Sequence, residues 1–234
     1  MLKKLLALGL TLSFLLISAS MVLAQQQPIE LMADKIEIKS KENTLQASGN
    51  VVLQRGTWML HSPQLFFNKA SQDFRASGGV KVNDQQRTLT SQTLVGNLGT
   101  KVATAQGNAV LVQQNNTLKA EKIFLDDQKK YALATGNPFY QSQDNTLKAE
   151  KLEAFFQEEK ILATGQVKIT GPESWGTGDR ATFWQKEQKA LLVGNAQMSN
   201  QGNLLSGPSI TVFLNKGGEK VETQGRSRMI ITPN

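Results

Sequence analysis

The sequence predicts an elongated all-β protein of about seven 29-residue repeats, each supplying two strands. Three observations carry that expectation. The heptapeptide NTLKAEK stands at residues 116–122 and again at 145–151, a step of 29. Glycines recur at Gly49, Gly78, Gly107, Gly136, Gly165, Gly194 and Gly225, with five gaps of 29 and a last gap of 31. Around them apolar and polar residues alternate, the period of a strand with one buried face. A fixed period of this length marks units that bury their apolar faces on their neighbours.

Each repeat has a glycine strand and a partner strand. In LQASGNVVL the inward set is Leu45, Ala47, Val51 and Leu53; in ILATGQVKI it is Ile161, Ala163, Val167 and Ile169. The glycine falls on the apolar side, where a bulge or a close backbone approach is the usual reason for it. Alanines at 47, 76, 105, 134 and 163 precede it by two. The partner strand reads LMADKIEI from Leu31, LHSPQLFF from Leu60 and LKAEKIFL from Leu118. Its apolar parity shifts by one residue part-way, from Leu118 and Ala120 to Ile123 and Leu125. Such a slip turns side chains to the wrong face unless the backbone bends, so a corner is expected. Polar clusters KSKEN, NKASQD, DDQKK, FQEEK and NKGGEK supply the turns, and the two extra residues of the last repeat fall in the last of them. The stretch KAEKLEAFFQEEK has helical composition, but its alignment with the strand units overrides that. A zigzag of antiparallel strands in two facing sheets and a parallel β-helix both fit such a repeat. The β-helix needs three turn signals per coil; two turns and a bend favour the zigzag.

At 234 residues and 39% hydrophobic content the chain can build a real core. It has no cysteine, which excludes disulfides, thiolate metal sites and an acylated lipoprotein N-terminus. Residues 1–24, with Lys3 and Lys4 before an apolar run ending Val22-Leu23-Ala24, read as a cleaved signal peptide. An uncleaved anchor is the alternative, since about 20 apolar residues span a bilayer; Gly9, Ser13, Ser18 and Ser20 dilute the run. Residues 25–234 then form one repeat domain. Cleavage removes two lysines and no acid, so the net charge falls from +7 to +5. That mild excess suits an anionic partner.

No catalytic constellation is legible. His61 is the single histidine, so neither a triad nor a histidine-based metal site can be assembled. The carboxylate pairs Asp126-Asp127 and Glu158-Glu159 occupy turn positions, where solvated charge explains them better than glycoside chemistry. No phosphate-cradling glycine loop is present. The chain is expected to be no enzyme and to need no cofactor or metal. Nucleic acid is not expected either, for want of aromatic and basic residues clustered together.

The order PIELMADKIEI followed by TLQASGNVVLQRGTWMLHSPQL resembles the OstA-like family of lipopolysaccharide-transport proteins. The resemblance rests on Ala33-Asp34, on Gly49-Asn50-Val51 and on the Gln54-Arg55-Gly56 turn, with weaker echoes through all seven repeats. His61-Ser62-Pro63 stands where a second Ala-Asp would be expected. The resemblance implies a β-jellyroll open along one edge, a groove holding the acyl chains of lipid A, and head-to-tail stacking between the two membranes. It implies a periplasmic location, with inner-membrane and outer-membrane lipopolysaccharide transport proteins as partners. An inner-membrane-anchored component of the same route, or a polymerising scaffold that binds no lipid, remains as an alternative.

Without the resemblance, the inward stripe reads as a closed core; with it, as a groove. The groove set is Val51, Leu53, Leu65, Phe67, Phe74, Val80, Val82, Leu111, Ile123, Leu125, Tyr140, Leu152, Ile161, Val167, Ile169 and Phe183. The expected oligomer edges are Ile36 and Ile38 at one end and Met229, Ile230 and Ile231 at the other. Lys35, Arg55, Lys119, Lys122, Lys148 and Lys151 could meet lipid A phosphates at the rim; the preferred expectation is a solvated outer face, balanced by Glu121 and Glu150.

Overall fold

The computed structural model describes residues 28–215 and 218–232; the expected signal peptide lies outside the described residues. These residues form eighteen strands. They are β1 (Glu30–Met32), β2 (Lys35–Lys39), β3 (Thr44–Arg55), β4 (Trp58–Asn68), β5 (Asp73–Asn83), β6 (Arg87–Asn97), β7 (Val102–Gln113), β8 (Asn116–Asp126) and β9 (Tyr131–Thr135). There follow β10 (Phe139–Ser142), β11 (Asn145–Lys148), β12 (Lys151–Phe155), β13 (Lys160–Thr170), β14 (Ser174–Trp184), β15 (Lys189–Asn200), β16 (Asn203–Asn215), β17 (Gly218–Gln224) and β18 (Arg228–Ile230). Four strands are interrupted at the bend, as β1/β2, β9/β10, β11/β12 and β17/β18. Eighteen segments therefore make fourteen strands, two for each of seven repeats. The fold is an all-β antiparallel jellyroll, and KAEKLEAFFQEEK lies in strand and turn rather than helix.

The chain separates into two compact units, residues 28–114 with Lys119–Tyr131, and Asn115–Leu118 with residues 132–232. In the N-terminal unit β2 through β7 pair antiparallel in sequence order, and β1 also pairs with β3. In the C-terminal unit β11 and β12 both pair with β13, after which β13 through β17 pair in order and β18 returns to β16.

The bend has one construction in both units. The glycine strand carries two residues opposite one on its partner, as between Ser48 and Val51 or Thr164 and Val167. Both extra residues are left-handed, for example Gly49 at φ 75° with Asn50 at 47°. Only glycine adopts that conformation without cost, which is why it recurs. The residue fifteen earlier lies over it: a Cβ on Gly107 would stand 2.7 Å from Gln92, and one on Gly78 2.9 Å from Pro63. The same place is filled by Asp34, Glu150 and Asp179 beside Gly49, Gly165 and Gly194. Asn50 Nδ2 donates to Asp34 Oδ2 at 3.0 Å, so the Ala-Asp and Gly-Asn pairs of the sequence meet at one corner. Crossing it exchanges the inward parity, from Leu60 and Ser62 to Leu65 on β4, as the parity shift required.

Candidate functional site

The inner face is a set of apolar rows running across the strands. In the N-terminal unit one row passes through Leu31, Leu53, Leu60, Val82, Leu89 and Leu111. A second passes through Ile38, Leu45, Phe67, Phe74, Gly96 and Ala103. Large and small residues alternate where rings are present. The Phe74 ring lies on Gly96, where a Cβ would come within 2.7 Å of it. In the C-terminal unit the matching row is Ala154, Ile161, Phe183, Ala190, Val212 and Val221.

All sixteen expected groove residues lie on this inner face or in the core beneath it, but they are not equally open. Twelve are buried: Val51, Leu65, Val80, Leu111, Ile123, Leu125, Tyr140, Leu152, Ile161, Val167, Ile169 and Phe183. Leu53, Phe67, Phe74 and Val82 are half-buried, and all four belong to the N-terminal unit. In the C-terminal row the side chains close on one another, with Ile161 and Phe183 only 3% and 2% exposed. The rows lose cover at the terminal strands. Ile36 and Ile38 on β2 are exposed, as are Met229 and Ile230 on β18 and Ile231 beyond it.

The outer face carries the charge. Lys35, Arg55, Lys119, Lys122 and Lys148 are exposed, as expected. The balancing acids differ from the expected pair. Lys35 meets Glu37 at 3.8 Å and Lys151 meets Glu153 at 2.8 Å, because residues two apart in a strand share a face. Glu150 lies over Gly165 instead, and Glu121 Oε2 accepts from the Asn108 N–H at 3.5 Å. His61 is half-buried between Val52 and Lys81.

One outer row was missed by the sequence reading. Phe155, Lys160, Trp184, Lys189, Phe213 and Lys220 are successive register partners across β12 to β17. Lys160 Nζ stands 4.5 Å from the Phe155 ring centre, and Lys189 Nζ is 4.7 Å from Trp184 and 5.7 Å from Phe213. Lys220 Nζ is 5.8 Å from Phe213. The signal was available: the three aromatics are 29 residues apart, and so are Lys160 and Lys189.

The carboxylates serve turns. Asp84 Oδ1 accepts from the Gln86 and Arg87 N–H groups at 2.9 and 2.8 Å, and Arg87 Nη2 reaches its Oδ2 at 2.6 Å. Partial burial opposes its ionisation, but the Arg87 guanidinium and these N–H groups outweigh it and hold its pKa below the ordinary value. Asp126 is lowered chiefly by the Lys129 N–H, which it accepts at 2.9 Å. Among the described residues no group of three or more His, Asp or Glu could hold a metal ion.

The half-buried positions of the N-terminal rows leave an apolar surface partly open. The family model described as LptA/(LptD N-terminal domain) LPS transport protein matches residues 24–131 and again residues 88–218. The chain belongs to this family. The two matches of the LPS transport domain overlap, so the chain holds more repeats than one copy of it. Among solved structures it is similar to LptH of Pseudomonas aeruginosa, described as the LptA homologous periplasmic component of the conserved lipopolysaccharide transport device. The two are 21% identical, the match covers 47% of this chain and 83% of that one, and the TM-score is 0.43. A search of the curated proteins found no match.

Proposed function

We propose that the chain is a periplasmic carrier or bridge for lipopolysaccharide, shielding the acyl chains of lipid A on its inner face. Residues 1–24 serve as the signal peptide and residues 25–234 as the carrier domain. The carrying observation is an apolar inner face left half-open at Leu53, Phe67, Phe74 and Val82, in a chain of a lipopolysaccharide-transport family. Each methylene taken from water contributes about 0.8 kcal/mol, so a chain of a dozen carbons gains roughly 10 kcal/mol before the costs of association. Strand addition at β2 and β18 joins one copy to the next and to the membrane components at either end of the route.

Native mass spectrometry of the full chain from lipopolysaccharide-producing cells tests the reading. A co-purified species of lipopolysaccharide mass is expected. A lipid-free protein that also fails to take up added lipopolysaccharide overturns it.

A further inference from the structure

The two units differ both inside and out. The N-terminal unit leaves one inner row half-open, continuous from Ile38, which is 68% exposed, through Leu45 and Phe67 to Phe74. The equivalent C-terminal row, from Ala154 to Val212, is buried throughout. On the outer side of that closed row lie the alternating lysines and rings. Strand alternation makes each of them the chain neighbour of an inner residue: Phe155 of Ala154, Lys160 of Ile161, Trp184 of Phe183, Lys189 of Ala190, Phe213 of Val212. Parting the strands that carry these inner side chains therefore also parts the rings and lysines on the outer side.

Lys160 and Lys220 are further pinned by ion pairs to Glu158 and Glu222, and Lys189 lies 4.0 Å from Glu187. In the N-terminal unit the corresponding positions are Lys39, Thr44, Asn68, Asp73, Asn97, Val102, Asp126 and Tyr131, one lysine and one ring at opposite ends of the row with no lysine–ring alternation between them. Their bonds close turns, as Asn68 Oδ1 does for the Ala70 and Ser71 N–H groups, or join one strand pair, as Asn97 Nδ2 does with Asp73 at 2.7 Å.

We propose that the two units take lipid unequally: the N-terminal inner face admits an acyl chain as it stands, while the lysine–aromatic row keeps the C-terminal inner face shut. The proposal rests on the lipid-carrier reading and adds a control element on the opposite side of the sheet from the ligand. Lys160, Trp184, Lys189 and Phe213 are positioning residues, since none of them faces the chain that they admit or exclude.

The test places a photo-crosslinking phenylalanine analogue at Phe67, at Phe74 and at Phe183, ring for ring, in the full chain, and adds purified rough-type lipopolysaccharide. Capture at Phe67 and Phe74 is expected to exceed that at Phe183 by about tenfold, the ratio that a 1.4 kcal/mol difference in access produces. Lys160→Ala combined with Lys189→Ala is expected to raise capture at Phe183 several-fold relative to Phe74. Lys168→Ala, an exposed lysine outside the row, should leave the ratio unchanged. Hydrogen exchange on the unmodified protein gives a second reading that needs no core substitution: lipopolysaccharide should slow exchange in β3 to β6 more than in β13 to β16. Equal capture in both units, equal protection in both, or a ratio indifferent to the double lysine substitution overturns the proposal while leaving the carrier reading standing. Capture at none of the three sites overturns both.

Discussion

Backbone conformation at single residues sets much of this fold, and it recurs with the repeat. Asn43, Gln72, Lys101, Lys130, Glu159 and Gln188 all have positive φ at one turn position, each 29 residues from the next. Only the first is an asparagine, which tolerates that region; the others hold it at a cost of about 1 kcal/mol. Gln188 is exposed and its N–H donates to the Gln185 carbonyl at 3.0 Å, a bond that any residue keeps. Gln188→Gly should therefore stabilise the protein by on the order of 0.5 kcal/mol, after the extra freedom of glycine in the unfolded chain is set against the relieved strain. A lower melting temperature would show that the Gln188 side chain does something else. At the bulge the sign reverses. Gly107→Val puts a branched side chain at φ 84° and 2.7 Å from Gln92, and should cost roughly 1–3 kcal/mol in chemical denaturation. Unchanged stability with lost lipid uptake would instead make the glycine a ligand contact. Asp84 gives the pH counterpart. Its folded pKa is depressed, so its contribution is complete above the unfolded value of about 4 and fades as pH falls through the folded one. Asp84→Asn should flatten the acid limb of the stability curve below about pH 4 and leave its neutral slope alone.

The strands show which features a sequence can reveal. The glycine period, the alternation and the parity slip are local patterns, and they located the fourteen strands, the bulge and the corner. Leu118, Ala120, Ile123 and Leu125 are all buried, on both sides of the slip. Whether an inward side chain is covered depends on residues distant in the chain, which no alternation encodes; hence Phe67 and Phe183 look alike in sequence and differ in exposure. The lysine–aromatic row escaped because its members sit on the outward parity, where a charged residue at a strand end reads as solvated. Each exposed cation–ring pair contributes about 0.5–1 kcal/mol, and Lys189 lies over two rings. Lys189→Ala should therefore lower stability by on the order of 1 kcal/mol, while Lys168→Ala on the same face changes it by a few tenths. Lys189→Arg, which keeps charge and ring contact, should restore most of the loss. If Lys189→Ala and Lys168→Ala melt together, the row contributes no cohesion and its proposed hold on the C-terminal inner face loses its physical basis.

Among the described residues β2 pairs with β3 and β18 pairs with β16, and the backbone groups on the other side of each strand are ones that a partner chain would satisfy most directly. β2 presents Ile36 and Ile38 beside one such edge, and β18 presents Met229 and Ile230 beside the other. Contact between a first strand and a last strand uses two different surfaces, so it need not close and can build a rod. The last strand is shorter than its apolar sequence suggested: Gly225, with positive φ, ends β17, and only Arg228–Ile230 returns to pair with β16. Thr232 then fastens the chain, its N–H donating to Asn203 Oδ1 at 3.1 Å. On a strand, successive N–H groups point to opposite sides. Of Met229 and Ile230, one donates toward β16 and the other toward the open side. Proline at the first removes an internal bond; proline at the second removes a donor that only a neighbouring copy would use. The two variants should therefore part company. One should lose stability and keep its oligomers; the other should melt like the parent and run as a monomer at concentrations where the parent forms a ladder. Were the parent monomeric at high concentration, or both proline variants as polymerised as the parent, end-to-end strand addition at β18 would be excluded as the joint between copies.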